Sequence, residues 1–264
     1  MLVLKELVSG YTGSTGVVVK ELSLSLEPGS FVCVIGRNGA GKSTLMRTIA
    51  GLQSPLGGSV WINGSAVSTL SARDRARTIS VVTTDRVSSP GLLARDVVEL
   101  GRQPYTDWRG QLAPEDREIV AKSMETTAST KFADKPFDGL SDGERQRVMI
   151  ARAFAQSSEL MVLDEITAFL DLPGRVEIMA LLRRHASETG NIVLLSSHDL
   201  ELGLELAGEL WIVDDGQMQF GSPHELVANG AIGRAFDGSE VAFDPGKRRF
   251  ALRDGVALEP SVVD

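Results

Sequence analysis

Short runs of apolar residues alternate with segments of helical periodicity over most of the chain. Four of these runs are FVCVIG at 31–36, TISVVT at 78–83, LMVLDE at 160–165 and NIVLLSS at 191–197. Apolar runs of this length are typical of strands that are buried on both faces, as in a parallel sheet covered by helices. The pattern therefore predicts an α/β core.

A second pattern, in which apolar and polar residues alternate around glycine turns, occupies residues 2–30 and 57–67. Strict alternation is typical of strands with one buried and one solvated face. We therefore expect a small antiparallel β-subdomain beside the core.

Helical periodicity dominates residues 92–157, where Leu93, Val97 and Leu100 are spaced to share one helical face. The core strands lie on either side of this region in the sequence. It is therefore predicted to be an α-helical subdomain, about residues 86–157, inserted between two strands of the core.

The segment ELWIVDDGQMQFGS at 209–222 predicts a β-hairpin that turns at Asp215 and Gly216. Ser222 and Glu225, three residues apart, have the spacing of a capping box that opens one more short helix.

Composition narrows the class of protein. A chain of 264 residues with 42% hydrophobic content can bury a full core, and its net charge of −8 offers no diffuse basic surface for a nucleic acid. Cys33 is the only cysteine and lies in an apolar run, so we expect it to pack in the core. No apolar stretch is long enough to cross a bilayer, and charge comes too early for a secretory signal, which predicts a cytoplasmic protein.

The stretch GRNGAGKST at 36–44 follows a predicted strand and precedes a predicted helix. It matches the phosphate-binding loop pattern GxxxxGK[ST], in which backbone N–H groups face a phosphate chain at a helix N-terminus. Lys42 would reach the β and γ phosphates, and the Ser43 hydroxyl would ligate Mg²⁺. The candidate nucleotide-contacting residues of this loop are Gly36, Asn38, Gly39, Ala40, Gly41, Lys42, Ser43 and Thr44.

Two adjacent acids end the run ELMVLDE at 159–165. Neighbouring carboxylates repel each other unless a cation lies nearby, and in a P-loop fold the acid at this strand end holds Mg²⁺. Asp164 fits that role. Glu165, one residue further, would polarise the water that attacks the γ-phosphate.

The segment LSDGERQRVMIARAF at 140–154 has a simple structural interpretation, because Ser141 and Glu144 have the spacing of a capping box. Together with GRNGAGKST, MVLDE, AFLD and His198 in LLSSHDL, it resembles the signature motif of the ATP-binding cassette (ABC) ATPases. The resemblance covers at least residues 1–225. It implies a P-loop NTPase (RecA-like) core in an ABC ATPase domain at 1–230, followed by a C-terminal extension at 231–264 without an assigned role.

The resemblance also implies roles for residues that no local pattern would single out. In this family two cassettes form a homodimer head to tail, with ATP at the interface between the phosphate loop of one and the signature helix of the other. His198 corresponds to a switch histidine at the γ-phosphate and Tyr11 to an aromatic residue that stacks on adenine. The residues expected to contact the nucleotide or shape the dimer seam from the partner side are Ser141, Gly143, Glu144 and Asp171.

Three positions depart from the family pattern. Thr84 stands where the family usually has a glutamine that touches Mg²⁺, and its shorter hydroxyl could still reach the metal or its water. The signature reads SDGE rather than SGGQ, which brings two acids near a triphosphate unless cations such as Arg145 and Arg147 meet them. Ile166 replaces a proline, a change expected to affect turn stiffness more than chemistry.

The stretch VELGRQPYTDWRG at 98–110 is similar to cassettes that serve importers of ferric siderophores, haem or cobalamin. This similarity predicts the ATP-hydrolysing subunit of an importer on the cytoplasmic face of the membrane. Its partners would be integral-membrane permease subunits and, indirectly, a periplasmic or lipoprotein substrate-binding protein, with no nucleic acid. The alternatives are a soluble ABC ATPase of DNA repair or translation, and a P-loop kinase for a small metabolite.

Overall fold

A computed structural model describes residues 1–13, 16–83, 89–238 and 240–253 of the chain. Within these residues the protein contains a six-stranded sheet, a four-stranded sheet and a two-stranded sheet, with helices between them. The strands are β1 Leu2–Gly10, β2 Val17–Leu26, β3 Phe31–Gly36, β4 Gly57–Ile62, β5 Ser65–Ala66, β6 Ile79–Val82, β7 Leu160–Leu163, β8 Ile192–Ser196, β9 Glu209–Asp214, β10 Gln217–Gly221, β11 Val241–Asp244 and β12 Arg249–Leu252. The α-helices are α1 Lys42–Ile49, α2 Ala72–Thr78, α3 Ala94–Glu99, α4 Pro114–Thr126, α5 Asp142–Ala155, α6 Leu172–Thr189, α7 Leu200–Leu206, α8 Pro223–Ala228 and α9 Ala231–Phe236.

The six-stranded sheet has the order β10-β9-β3-β8-β7-β6 and is parallel except for the edge strand β10. The four apolar runs of the sequence form β3, β6, β7 and β8, which confirms the predicted α/β core. Because β3, β8 and β7 are adjacent and parallel, the loops that follow them meet at one edge of the sheet. Those loops carry the phosphate-loop motif, the histidine motif and the paired acids.

Alternate residues of β3 enter two separate hydrophobic clusters. Phe31, Cys33 and Ile35 face α6 and α7, while Val32 and Val34 face α1 and the antiparallel sheet β2-β1-β4-β5. Cys33 is fully buried, as predicted, and burial raises the pKa of its thiol to about 12. This two-sided burial explains why the run contains no polar alternation.

The inserted helical region has its own hydrophobic cluster, formed by residues between 94 and 155. A buried ion pair supports it: the Arg102 Nε donates to the Asp116 Oδ1 over 2.8 Å, and the Arg102 guanidinium lies 3.8 Å from the Tyr105 ring centroid. The expectation that Leu100 shares the buried face of a helix is wrong, since α3 ends at Glu99 and Leu100 is 46% exposed. A turn of 3-10 helix from Leu100 changes the periodicity and rotates this side chain outward.

The last part of the chain packs against the main sheet. The predicted hairpin of β9 and β10 and the capping box at Ser222 are both present. Ala231 and Ile232 are fully buried in the cluster that contains Phe31, so packing continues through residue 230. The end of α9 also meets the phosphate loop, because the Arg37 guanidinium donates to the carbonyl oxygens of Phe236 and Asp237. The domain boundary at 230 and the C-terminal extension at 231–264 stay predictions.

Candidate nucleotide site

The loop between β3 and α1 is wound tightly by its glycines. Gly41, the N-cap of α1, has a φ of 104°, and a Cβ there would collide with the Val18 side chain. A Cβ on Gly36 would collide with the carbonyl oxygen of Val213. Both positions therefore need glycine, one for its backbone angle and the other for the close approach of a neighbouring strand. The result is a loop that leads directly into a helix N-terminus, which is a favourable geometry for binding phosphate.

Lys42 is the first residue of α1 and is only 4% exposed. Its Nζ donates to the carbonyl oxygen of Gly36 over 2.8 Å and to that of Arg37 over 3.3 Å, and it lies 3.9 Å from the Glu165 Oε1. Burial lowers the pKa of the Lys42 ammonium below its ordinary value, whereas the carboxylates of Glu165 and Asp164 act in the opposite direction. The surrounding oxygens compensate for the desolvation of this charge.

The paired acids lie just beyond β7 and are held by Ser196 at the end of β8. The fully buried Ser196 hydroxyl donates to the Asp164 Oδ1 over 2.6 Å and accepts the Glu165 N–H over 2.8 Å. Glu165 has a φ of 53°, in the left-handed region that residues with side chains seldom adopt. Such strain persists only where surrounding contacts maintain it, and here Ser196 supplies one of them. The hydroxyl therefore fixes the carboxylate of Asp164 and the backbone of Glu165 at once.

His198 follows β8 and faces the acids. Its Nε2 lies 2.8 Å from the Glu165 Oε1, and its side chain is 43% exposed. Tyr11 immediately follows β1 and contacts the end of the phosphate-loop motif. The Tyr11 hydroxyl lies 3.1 Å from the Thr44 hydroxyl. A cleft of about 620 Å³ is lined by Tyr11, Val18, Asn38, Gly39, Gly41, Lys42, Ser43, Thr44, Glu165 and His198.

The segment with the signature motif forms the start of α5. Ser141 is the N-cap, and the capping box is complete: Ser141 Oγ accepts the Glu144 N–H, and the Glu144 carboxylate accepts the Ser141 N–H over 3.0 Å. Lys135 lies 3.2 Å from the other oxygen of Glu144. The Ser141 N–H and Lys135 lower the pKa of Glu144 below its usual range. Lys135, rather than Arg145 or Arg147, therefore meets this acid.

Among the described residues that line the 620 Å³ cleft, none belongs to the segment 141–144. Asp171 is not among them either; it is the N-cap of α6 and accepts the Gly174 N–H over 3.1 Å. The sequence-derived site residues thus fall into a cleft group and a second group at the starts of α5 and α6. One chain does not bring the two groups together within the part that the structure describes.

The oxygen ligands expected for Mg²⁺ are partly in place. The Ser43 hydroxyl lies at the start of α1 and the 9% exposed Asp164 follows β7. A hydroxyl and a carboxylate fit a hard cation that also takes phosphate and water oxygens. Within the described ranges, no three or more histidine, cysteine, aspartate or glutamate side chains cluster as metal ligands. Thr84, the third predicted metal contact, lies outside the described residues.

Sequence reasoning missed Ser196 as a site residue. It occurs in LLSSHDL, where two consecutive serines follow an apolar run. A polar residue that ends a run predicted to be fully buried is a usable signal, because a buried hydroxyl needs a partner. The sequence does not indicate that the partner is Asp164, which is 32 residues away.

No helix in the described portion combines the length and apolarity needed to cross a bilayer.

The chain is similar to ATP-binding proteins of transport systems. A model described as ABC transporter matches residues 19–168. The iron(3+)-hydroxamate import ATP-binding protein of Bacillus subtilis is 33% identical over 231 residues, which cover 87% of this chain and 86% of that protein. The ferric enterobactin transport ATP-binding protein of Escherichia coli is 33% identical over 264 residues, covering 98% and 92%. A cobalamin import ATP-binding protein of Halobacterium salinarum is 36% identical, covering 86% and 57%.

Two solved structures show the same fold. A metal-chelate type ABC transporter in an inward-facing conformation matches with a TM-score of 0.78 at 24% identity, over 89% of this chain and 88% of that chain. A dimeric ATP-binding cassette in a post-hydrolysis state with ADP and Pi matches with a TM-score of 0.73 at 27% identity, over 84% and 99%.

Proposed function

Since the chain belongs to the ABC transporter family, as one of its ATP-binding and ATP-hydrolysing subunits, we propose that it powers import of a ferric siderophore, haem or cobalamin through a membrane permease dimer. The observation that carries the catalytic part is the cleft in which the phosphate loop, Glu165 and His198 lie together. Related import subunits that align over most of the chain support the transport part.

Within the cleft, Lys42 binds the β and γ phosphates and neutralises charge that develops during phosphoryl transfer. Glu165 accepts a hydrogen bond from the attacking water and acts as its general base. The 2.8 Å contact between His198 and Glu165 supports a shared role near the γ-phosphate. Tyr11, which also lines the cleft, stacks on adenine.

Mg²⁺ would be held by Ser43 and Asp164, and its chemistry is charge neutralisation at the phosphates. The Ser196 hydroxyl fixes one oxygen of Asp164 and leaves the other available to the metal or its water. The Thr84 hydroxyl, at the position where the family usually has a glutamine, is proposed as a third contact to the metal or its water.

The second group of residues completes the site from a partner chain. The start of α5 is a capped helix N-terminus, which favours an anion, and Ser141 and Gly143 lie in its first turn. The Glu144 carboxylate accepts the Ser141 N–H and pairs with Lys135, and these contacts reduce its repulsion of a triphosphate. Asp171 lies at the start of α6, where a partner chain would meet the seam. The dimeric cassette of the same fold supports the formation of a dimer.

In the proposed location the chain lies at the cytoplasmic face of the membrane, where it binds the permease. A substrate-binding protein delivers the transported substrate to the permease from the other side. The net charge of −8 gives no support to a nucleic-acid partner. The two soluble alternatives need no membrane protein, and a metabolite kinase has no use for residues at the start of α5.

Replacing Ser196 by valine tests the local geometry. We expect turnover of ATP to fall about tenfold, because the Glu165 N–H and the Asp164 Oδ1 lose a buried partner and the two acids lose their shared orientation. Steady-state hydrolysis is measured beside Ser187→Ala, which removes an exposed hydroxyl on α6. Equal turnover in the two variants would contradict a positioning role for Ser196.

Uptake and co-purification together test the transport assignment. In cells that lack the gene, we expect loss of uptake of one labelled substrate among a ferric siderophore, haem and cobalamin. The wild-type chain should restore uptake and Glu165→Gln should not. A tagged chain extracted in detergent should carry a permease with many membrane spans. Unchanged uptake of all three substrates, or a chain that purifies without a membrane partner, would remove the importer assignment.

A further inference from the structure

Arg175, in the first turns of α6, contacts two loops that the sequence motifs treat separately. Its Nε donates to the carbonyl oxygen of Leu170 over 2.9 Å. One terminal nitrogen, Nη1, lies 3.6 Å from the Asp199 Oδ2. Leu170 immediately precedes Asp171, the acid expected at the dimer seam, and Asp199 immediately follows His198. One guanidinium thus joins the loop before α6 to the loop that carries the histidine.

Asp199 is itself held in place. Its Oδ1 accepts the Leu202 N–H over 3.1 Å as the N-cap of α7, and its own N–H donates to the Ser197 hydroxyl over 3.0 Å. The other oxygen forms an ion pair with Arg175, so the carboxylate has a partner on each side. The backbone next to His198 is therefore linked to α6 through Arg175.

The same arginine shares a cleft with the catalytic candidates. A space of about 140 Å³ is lined by Glu165, Thr167, Ala168, Arg175, Ser197, His198 and Asp199. Arg175 does not reach the reacting groups in the way that His198 does, since the contacts found for its side chain are with Leu170 and Asp199. We therefore expect its influence on hydrolysis to pass through those two partners.

Stability alone is a poor explanation for this arrangement. The Arg175 side chain is 36% exposed and the Asp199 side chain is 18% exposed, and pairs with this much access to water contribute little to the free energy of unfolding. The guanidinium has another effect: it donates a hydrogen bond to the Leu170 carbonyl and forms an ion pair with Asp199 from the same plane, which limits the distance between these two partners. A lysine would offer one charge centre without that planar fork.

We propose that Arg175 is a positioning residue for ATP hydrolysis, coupling the loop at the dimer seam to the orientation of His198. When a partner chain meets the seam beside Asp171, the Leu170 carbonyl and the Asp199 carboxylate keep a fixed separation through Arg175. The existing 2.8 Å contact between His198 and Glu165 thereby takes a geometry that depends on the state of the seam. This inference rests on hydrolysis by the family and on the proposed dimer, and not on the identity of the transported substrate.

The test uses the full-length chain with Arg175→Gln, Arg175→Lys and Asp199→Asn. The matched control is Arg184→Gln, at an exposed position further along α6. For Arg175→Gln we expect kcat to fall about tenfold while KM for ATP and the thermal midpoint stay near those of the control. Arg175→Lys should recover part of kcat, because a lysine can still pair with Asp199 but cannot also hold the Leu170 carbonyl in the same plane.

A double-variant cycle separates coupling from independent damage. If Arg175 acts through Asp199, adding Asp199→Asn to Arg175→Gln should lower kcat by no more than about twofold beyond the single variant. The proposal is overturned if Arg175→Gln matches Arg184→Gln in kcat, if its loss appears in KM or thermal midpoint, or if the double variant shows the product of the two losses. The proposed dimer has a separate readout: wild-type and Arg184→Gln chains that stay monomeric with ATP would reject it.

Discussion

Glu165→Gln is expected to lower ATP turnover by a factor of about a hundred to ten thousand, the range usual for loss of a general base. Binding of ATP should be retained, because the amide keeps the size of the side chain and Lys42 still has the carbonyl oxygens of Gly36 and Arg37 as partners. The variant should accumulate as a dimer with ATP, since hydrolysis is the step that would reopen it. Single-turnover hydrolysis and size-exclusion chromatography with ATP provide the two measurements.

Glu188→Gln is the appropriate control, since Glu188 is an exposed acid near the end of α6. It should turn over ATP as the wild type does and should not accumulate as a dimer. Undiminished turnover in Glu165→Gln would exclude Glu165 as the base, whatever the state of the dimer.

Lys42→Ala is expected to weaken ATP binding by about a hundredfold, because the phosphates lose a charge-assisted contact from a buried ammonium. Titration with a fluorescent ATP analogue measures the dissociation constant directly. The free energy of unfolding without nucleotide should change much less than the free energy of ATP binding. Truncation also removes the cost of burying the Lys42 ammonium, which is only 4% exposed.

Lys122→Ala, on the exposed side of α4, controls for loss of a positive charge at a distance. It should bind ATP with wild-type affinity. Equal affinity in Lys42→Ala would contradict the assignment of the phosphate loop.

The sequence predicted best those elements whose pattern lies within one continuous stretch of residues. FVCVIG forms β3 with the predicted bounds, and GRNGAGKST leads from it into α1 at Lys42. The run TISVVT yields a shorter strand, Ile79–Val82, because α2 ends at Thr78. Local patterns specify such elements, whereas neighbouring elements decide their last residues.

The contacts that the sequence did not predict are those between loops far apart in the chain. Ser196 meets Asp164 because β8 is adjacent to β7, and this adjacency is a property of the sheet order. Arg175 meets Asp199 for a similar reason, since α6 and α7 pack against the same face. An aromatic cluster that the sequence pattern did not predict is formed by Phe236, Phe243 and Phe250. Pairing across such distances depends on topology as a whole.

The composite site is the central claim, and cysteine crosslinking between chains tests it most directly. Cys33 is fully buried with a pKa raised to about 12, so added cysteines can be labelled without interference. Asn38→Cys in one chain and Asp142→Cys in another, each combined with Glu165→Gln, are mixed with a short thiol crosslinker. We predict a crosslinked dimer with ATP and none without it. Failure to form this dimer with ATP bound would contradict a site shared between the phosphate loop of one chain and the start of α5 of its partner.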